Sequence, residues 1–223
     1  MSNRCPPDAV GDGEPYAGPV VLPLIDGFGR VHRDLRISVT DRCNFRCSYC
    51  MPAEGLQWLP RAELLTFEEI ERVARLLVER HGIDSIRLTG GEPTVRADLR
   101  RLVGMLSALG VDLALTTYGA TLKQAASGLA DAGLKRINVS LDSLQAERFA
   151  ELTLRDELGR VLDGIDAALA AGLDPVKVNV VVMRGVNDDE LVDFARFGRD
   201  RGVMVRFIEF MPLDASGTWD NAQ

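Results

Sequence analysis

The chain has 223 residues, of which 46% are hydrophobic, so it is long enough to bury a substantial core in one domain. Its formal net charge of -7 argues against a protein that coats nucleic acid, because such proteins normally present a basic surface. No apolar run approaches the roughly 18 residues that a membrane-spanning helix needs. We therefore expect neither nucleic acid nor a membrane as partner.

The first twenty residues differ in composition from the rest of the chain. They are crowded with proline and glycine, a mixture that resists packing, and they contain no apolar stretch typical of a signal peptide. We expect a flexible leader at 1–20 and one folded domain at 21–223, in a cytoplasmic protein. Cytoplasmic proteins seldom carry disulfides, so the close grouping of Cys43, Cys47 and Cys50 indicates metal or redox chemistry rather than a cross-link.

Beyond the leader, β-rich runs alternate with amphipathic stretches. Strands are predicted at residues 35–40, 85–89, 111–116, 136–140, 176–183 and 203–210. Helices are predicted near residues 66–80, 97–109, 122–132, 157–171 and 188–201, and Thr66 with Glu69 forms a capping box at the start of the first. This alternation predicts βαβ units and a parallel sheet. Because an eight-fold barrel needs two more units, we predict an α/β fold, a partial TIM-like (βα)6 barrel, with a doubly wound open sheet as the alternative.

Polar side chains occupy one face of several predicted strands. Because side chains alternate along a strand, four sets share a face: Arg36, Ser38 and Thr40; Ser85, Arg87 and Thr89; Asn138 and Ser140; Lys177 and Asn179. The intervening residues are apolar and suit a helix-covered exterior, which turns the polar face into the barrel. Burying Arg36, Arg87 and Lys177 without partners would be costly. We expect either internal carboxylates or a wet cavity that binds an anion, with a phosphate-bearing ligand favoured and Arg206 as a further candidate.

A cysteine loop follows the first predicted strand directly. Cys43, Cys47 and Cys50 stand in a C-x3-C-x2-C spacing. A cubane iron–sulfur cluster ordinarily takes four thiolates, so three of them leave one iron open to an outside ligand. Zinc is the alternative, but closed zinc sites take four ligands, and neither His32 nor His81 stands at a usual finger spacing from the three cysteines. We predict a [4Fe-4S] cluster.

The cysteine loop and several later runs resemble a known superfamily. The loop, with Tyr49 just before its last cysteine, is similar to the signature of radical S-adenosylmethionine (SAM) enzymes. Further stretches of the sequence resemble one family of this superfamily, the GTP 3',8-cyclases of molybdenum cofactor biosynthesis. These stretches are residues 26–30, 35–44, 86–93, 136–142, 176–179, 185–189 and 206–212. The resemblance covers residues 23–219, nearly all of the chain after the leader.

The resemblance implies roles for individual residues. Cys43, Cys47 and Cys50 would hold the [4Fe-4S] cluster, whose open iron chelates SAM. The positions that match SAM-contacting residues of the family are Tyr49, Gly91, Ser140 and Met211. The positions that match GTP-contacting residues are Arg36, Arg87, Thr116 and Lys177.

The resemblance also implies a reaction of the lyase class. An external electron donor would drive cleavage of SAM to a 5'-deoxyadenosyl radical. That radical would take hydrogen from C3' of GTP, and addition of C3' to C8 of guanine would give (8S)-3',8-cyclo-7,8-dihydroguanosine 5'-triphosphate. The resemblance leaves open whether the protein forms a homodimer.

The chain departs from the family's pattern in several places. The family carries a second cluster on three C-terminal cysteines, whereas no cysteine follows Cys50 here, so complete cyclisation of GTP is not expected of this polypeptide. Tyr118 stands where asparagine is usual, and Leu154 where glycine or asparagine is usual. Two alternatives stay open: another radical SAM enzyme, such as a peptide-modifying maturase, and a truncated module that binds SAM or a nucleotide without turnover.

Overall fold

A six-stranded parallel sheet forms the centre of the chain, which a computed structural model describes over residues 21–51 and 55–211. A short antiparallel hairpin, β1 (Leu24–Ile25) and β2 (Val31–His32), precedes the sheet. The sheet strands are β3 (Asp34–Ser38), β4 (Ser85–Thr89), β5 (Asp112–Thr117), β6 (Arg136–Ser140), β7 (Val176–Val182) and β8 (Met204–Glu209). All six predicted strands are thus confirmed within two residues at each end. The predicted leader at 1–20, with Cys5, and the last residue of the 206–212 run lie outside the described residues.

In the described part of the chain, six α-helices connect the strands of the sheet. They are α1 (Phe67–His81), α2 (Leu99–Ser107), α3 (Leu122–Asp131), α4 (Ala146–Thr153), α5 (Leu158–Ala170) and α6 (Leu191–Arg201). The predicted capping box is confirmed, because the Thr66 hydroxyl accepts from the Glu69 amide at 3.2 Å and the Glu69 carboxylate accepts from the Thr66 amide at 2.7 Å. The sequence did not predict α4 or the hairpin. None of the described helices is long and apolar enough to cross a bilayer.

The strands lie side by side in chain order, from β3 at one edge to β8 at the other. A doubly wound sheet reverses its strand order at a switch point, and no such reversal occurs here. The order is that of a TIM-type barrel with six units. In the described part of the chain β3 and β8 do not pair, so the arrangement is the predicted partial barrel.

The sheet is strongly curved. Burial lowers the pKa of Arg87 on β4, and the positive charges of Arg36 on β3, Arg206 on β8 and Arg136 on β6 lower it further. In a flat sheet β4 and β8 would be about 19 Å apart, at about 4.8 Å per strand spacing, well beyond the roughly 8–10 Å over which charges act at physiological salt. The repulsion between Arg87 on β4 and Arg206 on β8 fits a sheet that curls toward closure, as the barrel order of its strands implies.

The two faces of the sheet differ as the alternation of side chains predicts. Residues that point toward the helices are fully buried, among them Ile86, Leu88, Leu113, Leu115, Ile137, Val139 and Val178. They pack with buried side chains of the helices, among them Leu102, Leu106, Leu122, Val161, Ile165 and Phe194. The polar residues between them, such as Arg87 and Lys177, are only half-buried. The core therefore lies between sheet and helices, and the polar face lines the inside of the curve.

Leu154 ends helix α4 in a conformation that leucine rarely adopts. Its φ of 52° and ψ of 35° place it in the left-handed region, and its side chain is 42% exposed. A side chain with a Cβ pays about 1–2 kcal/mol there, which explains why glycine or asparagine suits this position. The departure noted from the sequence therefore falls on a strained residue.

We expect Leu154→Gly to raise the free energy of unfolding by about 0.5–1 kcal/mol, because the relief of backbone strain exceeds the entropy gained by the unfolded chain. Urea denaturation followed by circular dichroism would measure it. The matched control is Leu76→Gly, at an exposed position inside helix α1, which should lose about 1 kcal/mol. Equal destabilisation by both substitutions would contradict the assignment of strain to Leu154.

Candidate active site

The cysteine loop begins just beyond the carboxyl end of β3 and turns back on itself. The amides of Cys50 and Met51 both donate to the Cys47 carbonyl, at 2.9 and 3.2 Å. The Phe45 amide donates to the Cys43 sulfur at 3.4 Å. Cys43 and Cys47 are buried, Cys47 to 2% exposure, whereas Cys50 is exposed. None of these three cysteines forms a disulfide.

Burial controls the charge state of these thiols. It raises the pKa of Cys47 to about 12, although a hydrogen bond with Tyr118 opposes the shift. Burial also raises the pKa of Cys43, and partial desolvation of its sulfur raises the pKa of Cys50 although the residue as a whole is exposed. The charge of Cys50 acts on Cys43, and the charges of both act on Cys47, so the three sulfurs lie near one another. At neutral pH they are uncharged thiols, and a positive metal centre is needed to hold them as thiolates.

The turn after β4, at residues 90–92, packs directly against the start of the cysteine loop. The Gly91 amide donates to the Thr40 carbonyl at 2.8 Å, and the Glu92 amide donates to the Arg42 carbonyl at 2.7 Å. A Cβ on Gly91 would lie 2.5 Å from the Asp41 carbonyl oxygen, closer than atoms can approach. Glycine is therefore required for this backbone contact, whatever else binds there.

Glu92 is a buried carboxylate that joins the ends of β4 and β5. It is 2% exposed and accepts four hydrogen bonds, from the Thr94 amide and hydroxyl at 3.0 and 2.5 Å, from the Thr117 hydroxyl at 2.7 Å and from the Tyr118 amide at 2.6 Å. The sequence alone does not single out Glu92, because a lone glutamate in a turn is normally exposed. The structure shows that it ties the turn after β4 to the end of β5, next to the cysteine loop.

Two tyrosines lie beside the cysteine loop, each with its hydroxyl engaged. The Tyr49 hydroxyl donates to the buried carboxylate of Asp142 at 2.5 Å, and Asp142 also accepts from the Val181 amide at 2.8 Å. The Tyr118 hydroxyl lies 3.4 Å from the Cys47 sulfur. Burial raises the pKa of both phenols well above their usual value, so both are neutral. The sequence predicted neither contact.

The predicted cation face exists, and three of its members have no carboxylate partner. Arg36 stands opposite Arg87 across β3 and β4, while Lys177 on β7 stands opposite Asn138. The pKa of Lys177 is lowered by burial first and then by the positive charges of Arg206, Arg136 and Arg87. Over residues 21–51 and 55–211, Arg36, Arg87 and Lys177 make no ion pair, and the buried Nε of Arg87 has no hydrogen-bond partner. Of the two alternatives, internal carboxylate partners are therefore not found for these three cations among the described residues.

Two further arginines belong to this face. Arg136 shares the face of Asn138 by strand parity, which the sequence analysis overlooked, and its Nη2 pairs with Asp112 at 2.5 Å. Arg206, the further candidate, donates from Nε and Nη2 to the Asn179 side chain at 3.0 and 2.7 Å. Internal salt bridging, the other alternative, therefore applies to Arg136.

The remaining predicted residues lie on the strands or at their carboxyl ends. The Thr116 hydroxyl, near the end of β5, accepts from the Asn138 amide at 3.3 Å. Ser140 is the last residue of β6, and Met211 follows β8 with 57% of its surface exposed. Tyr49, Gly91, Ser140 and Met211 thus stand at the carboxyl end of the sheet, where ligands bind in parallel α/β folds. The cations Arg36, Arg87 and Lys177 lie deeper, within the strands.

A comparison with protein families decides the class of protein. Residues 37–198 match the family model of the radical SAM superfamily. The chain belongs to this superfamily. Membership implies a [4Fe-4S] cluster and SAM as cofactors.

Curated relatives that the chain resembles at about 50% identity are GTP 3',8-cyclases. The chain is 51% identical over 200 residues to a GTP 3',8-cyclase of Rhodopirellula baltica, 54% identical over 204 residues to one of Acidothermus cellulolyticus and 52% identical over 202 residues to one of Geobacter sulfurreducens. These matches cover 88–90% of this chain but only 56–62% of the relatives. The chain therefore spans less than two thirds of the length of the relatives that it matches.

Solved structures confirm the radical SAM fold. Streptococcus suis SuiB bound to its precursor peptide SuiA superimposes with a TM-score of 0.67 at 18% identity, over 80% of this chain and 39% of that one. Methylornithine synthase (PylB) gives 0.65 at 19% identity, over 82% of this chain and 54% of that one. At these identities the likeness concerns the fold alone.

The cysteine loop fits the cluster of a radical SAM protein. It offers three thiols that interact with one another, two of them buried, and a backbone amide directed at one sulfur. Among the residues that the structure describes, no three His, Cys, Asp or Glu side chains converge as ligands of a single metal ion. A cubane does not require such convergence, because each cysteine binds a different iron.

We expect Glu92→Gln to lower the free energy of unfolding by about 1–3 kcal/mol, because an amide nitrogen would face donors that now bond to a carboxylate oxygen. Thermal and urea denaturation of the metal-free protein would measure the loss. Glu151→Gln, an exposed glutamate on helix α4, is the matched control and should change stability by less than about 0.5 kcal/mol. A Glu92→Gln protein as stable as this control would show that the buried hydrogen bonds contribute nothing.

Proposed function

We propose that the chain is the SAM-cleaving, triphosphate-binding domain of a GTP 3',8-cyclase, a lyase of molybdenum cofactor biosynthesis that converts GTP to (8S)-3',8-cyclo-7,8-dihydroguanosine 5'-triphosphate. The observation that carries the proposal is the cation face beneath the cysteine loop, where Arg36, Arg87 and Lys177 have no ion-pair partner among the described residues. Relatives about 50% identical that are named GTP 3',8-cyclase support it. We place the protein in the cytoplasm with an external electron donor.

Cys43, Cys47 and Cys50 hold the cluster in this proposal, and Tyr49, Gly91, Ser140 and Met211 contact SAM. The bound cluster and SAM together supply a 5'-deoxyadenosyl radical by one-electron reductive cleavage. The buried loop around Cys47 and Phe45 keeps water away from this chemistry. The contact of Gly91 with the cysteine loop fixes the turn that faces SAM.

In this proposal the cation face orients the substrate. Arg36, Arg87 and Lys177 bind the triphosphate, and Thr116 lies between them and the carboxyl end of the sheet. Because these cations repel one another, a bound polyanion relieves their repulsion and gains charge-assisted hydrogen bonds, including one to the unpartnered Nε of Arg87. Holding the triphosphate deep in the curve turns the ribose toward the site of radical formation.

The guanine end of the substrate lacks its proposed partner in this chain. The resemblance assigns guanine to a second cluster on C-terminal cysteines, and no cysteine follows Cys50. We therefore propose sites for SAM and for the triphosphate in residues 1–223 and no site for guanine.

We expect the anaerobically reconstituted protein to be brown, to bind about four irons and to form 5'-deoxyadenosine from SAM under reduction. Cys47→Ala should abolish this product, because one of three cluster ligands is removed. Iron and sulfide analysis and product chromatography would test it, with Ser48→Ala in the same loop as control. A colourless protein that binds zinc would contradict the proposed chemistry and favour a non-catalytic module.

We expect Arg87→Ala to weaken GTP binding by about 10–100-fold, because a charge-assisted bond in a half-buried site is lost, while SAM cleavage persists. Isothermal titration calorimetry with GTP would measure it. Arg33→Ala, an exposed arginine paired with Asp84, is the control and should change GTP affinity by less than about twofold. Unchanged affinity in Arg87→Ala would remove this residue from the triphosphate site, and GTP-independent products would favour another radical SAM activity, such as peptide modification.

A further inference from the structure

We propose that Tyr118 is a positioning residue for the electronic state of the cluster: its phenol donates a hydrogen bond to the Cys47 sulfur and raises the reduction potential of the iron–sulfur centre. The inference rests on ligation of the cluster by Cys47. It is independent of GTP.

The geometry sets the direction of the hydrogen bond. The Tyr118 oxygen lies 3.4 Å from the Cys47 sulfur, within reach of a hydrogen bond to sulfur. In the metal-free protein the thiol can donate to the phenol oxygen. A cysteine that binds iron is a thiolate, which carries no proton and can only accept, so the phenol becomes the donor.

Tyr118 is held in this position by its backbone and by its ring. Its amide donates to the buried carboxylate of Glu92 at 2.6 Å. Its ring stacks on Phe45, with centroids 4.9 Å apart and planes 18° from parallel, and Phe45 in turn meets the edge of Phe149 at 6.1 Å. Since backbone and ring are both fixed, the hydroxyl cannot turn to solvent without breaking a stacked pair.

The surroundings of Cys47 make this one bond influential. The buried carboxylate of Asp142 acts electrostatically on Cys47, and its negative charge disfavours extra electron density on the sulfur. The Tyr49 hydroxyl, the other phenol nearby, is directed at Asp142. Tyr118 therefore supplies a side-chain donor that can stabilise the reduced cluster, because a hydrogen bond to a ligand sulfur withdraws electron density from it.

The test is the midpoint potential of the reconstituted cluster, from a redox titration followed by electron paramagnetic resonance, without SAM. Tyr118→Phe keeps the ring and its stacking on Phe45 but removes the donor. We expect about a three- to tenfold decrease in the one-electron reduction equilibrium constant, which is about 30–60 mV more negative at 59 mV per tenfold. Site-specific 3-fluorotyrosine at position 118, a stronger donor, should shift the potential the opposite way.

A second readout detects the proton itself. Electron–nuclear double resonance in H2O and D2O should show an exchangeable proton coupled to the reduced cluster that Tyr118→Phe lacks and the control Tyr49→Phe retains. If Tyr118→Phe takes up no iron, the sign of the potential shift in the 3-fluorotyrosine protein alone decides whether the proposal holds. Unchanged potential and unchanged proton coupling overturn the proposal for Tyr118. A wild-type protein without bound iron overturns the assignment of Cys47 as well, while loss of GTP binding bears on neither.

Discussion

The site depends on a backbone contact that leaves no room for a side chain. Gly91 and Glu92 donate their amides to carbonyls of Thr40 and Arg42, and this joins the turn after β4 to the start of the cysteine loop. With the turn so placed, the Glu92 carboxylate reaches Thr117 and Tyr118 at the end of β5. Three successive strands are thereby locked around the thiols at one end of the sheet. A loop that must present three sulfurs to one cluster gains from such locking, because the sulfurs keep their positions only if the backbone that carries them is fixed.

Charge is separated along the depth of the curved sheet. The buried end carries neutral thiols and the carboxylates of Glu92 and Asp142, whereas the strands below carry Arg87, Lys177 and their neighbours. Cations on one face of a sheet repel each other, and folding tolerates this only where water or an anion can reach them. In the function that we propose, a polyanion and a thiolate-bound metal would therefore be complementary ligands, held at different depths along the strands.

The sequence predicted the features that depend on short periods. Strand bounds, the capping box at Thr66 and the shared face of Arg36, Arg87 and Lys177 all follow from alternation or from spacing within four residues. What it missed depends on tertiary packing. Helix α4 has only eight residues, too few to show a clear period, and the partners of Glu92 and Tyr118 lie about 25 and 70 residues away along the chain. Arg136 shares the face of Asn138 by the same alternation of side chains, although it was not predicted.

The thiols also tie the cluster to the stability of the loop. Cys43 and Cys47 pack into the apolar core beside Phe45, and burial raises the pKa of Cys47 to about 12. A folded chain without metal is thus stabilised by keeping these sulfurs protonated, and this stabilisation is lost as pH rises through the raised pKa. Cluster binding instead requires thiolates and releases their protons, so its affinity increases with pH over the range in which the thiols stay protonated. The same burial that shields the cluster from water therefore opposes its uptake at low pH, and the hydrogen bond from Tyr118 acts in the opposite direction by favouring the thiolate of Cys47.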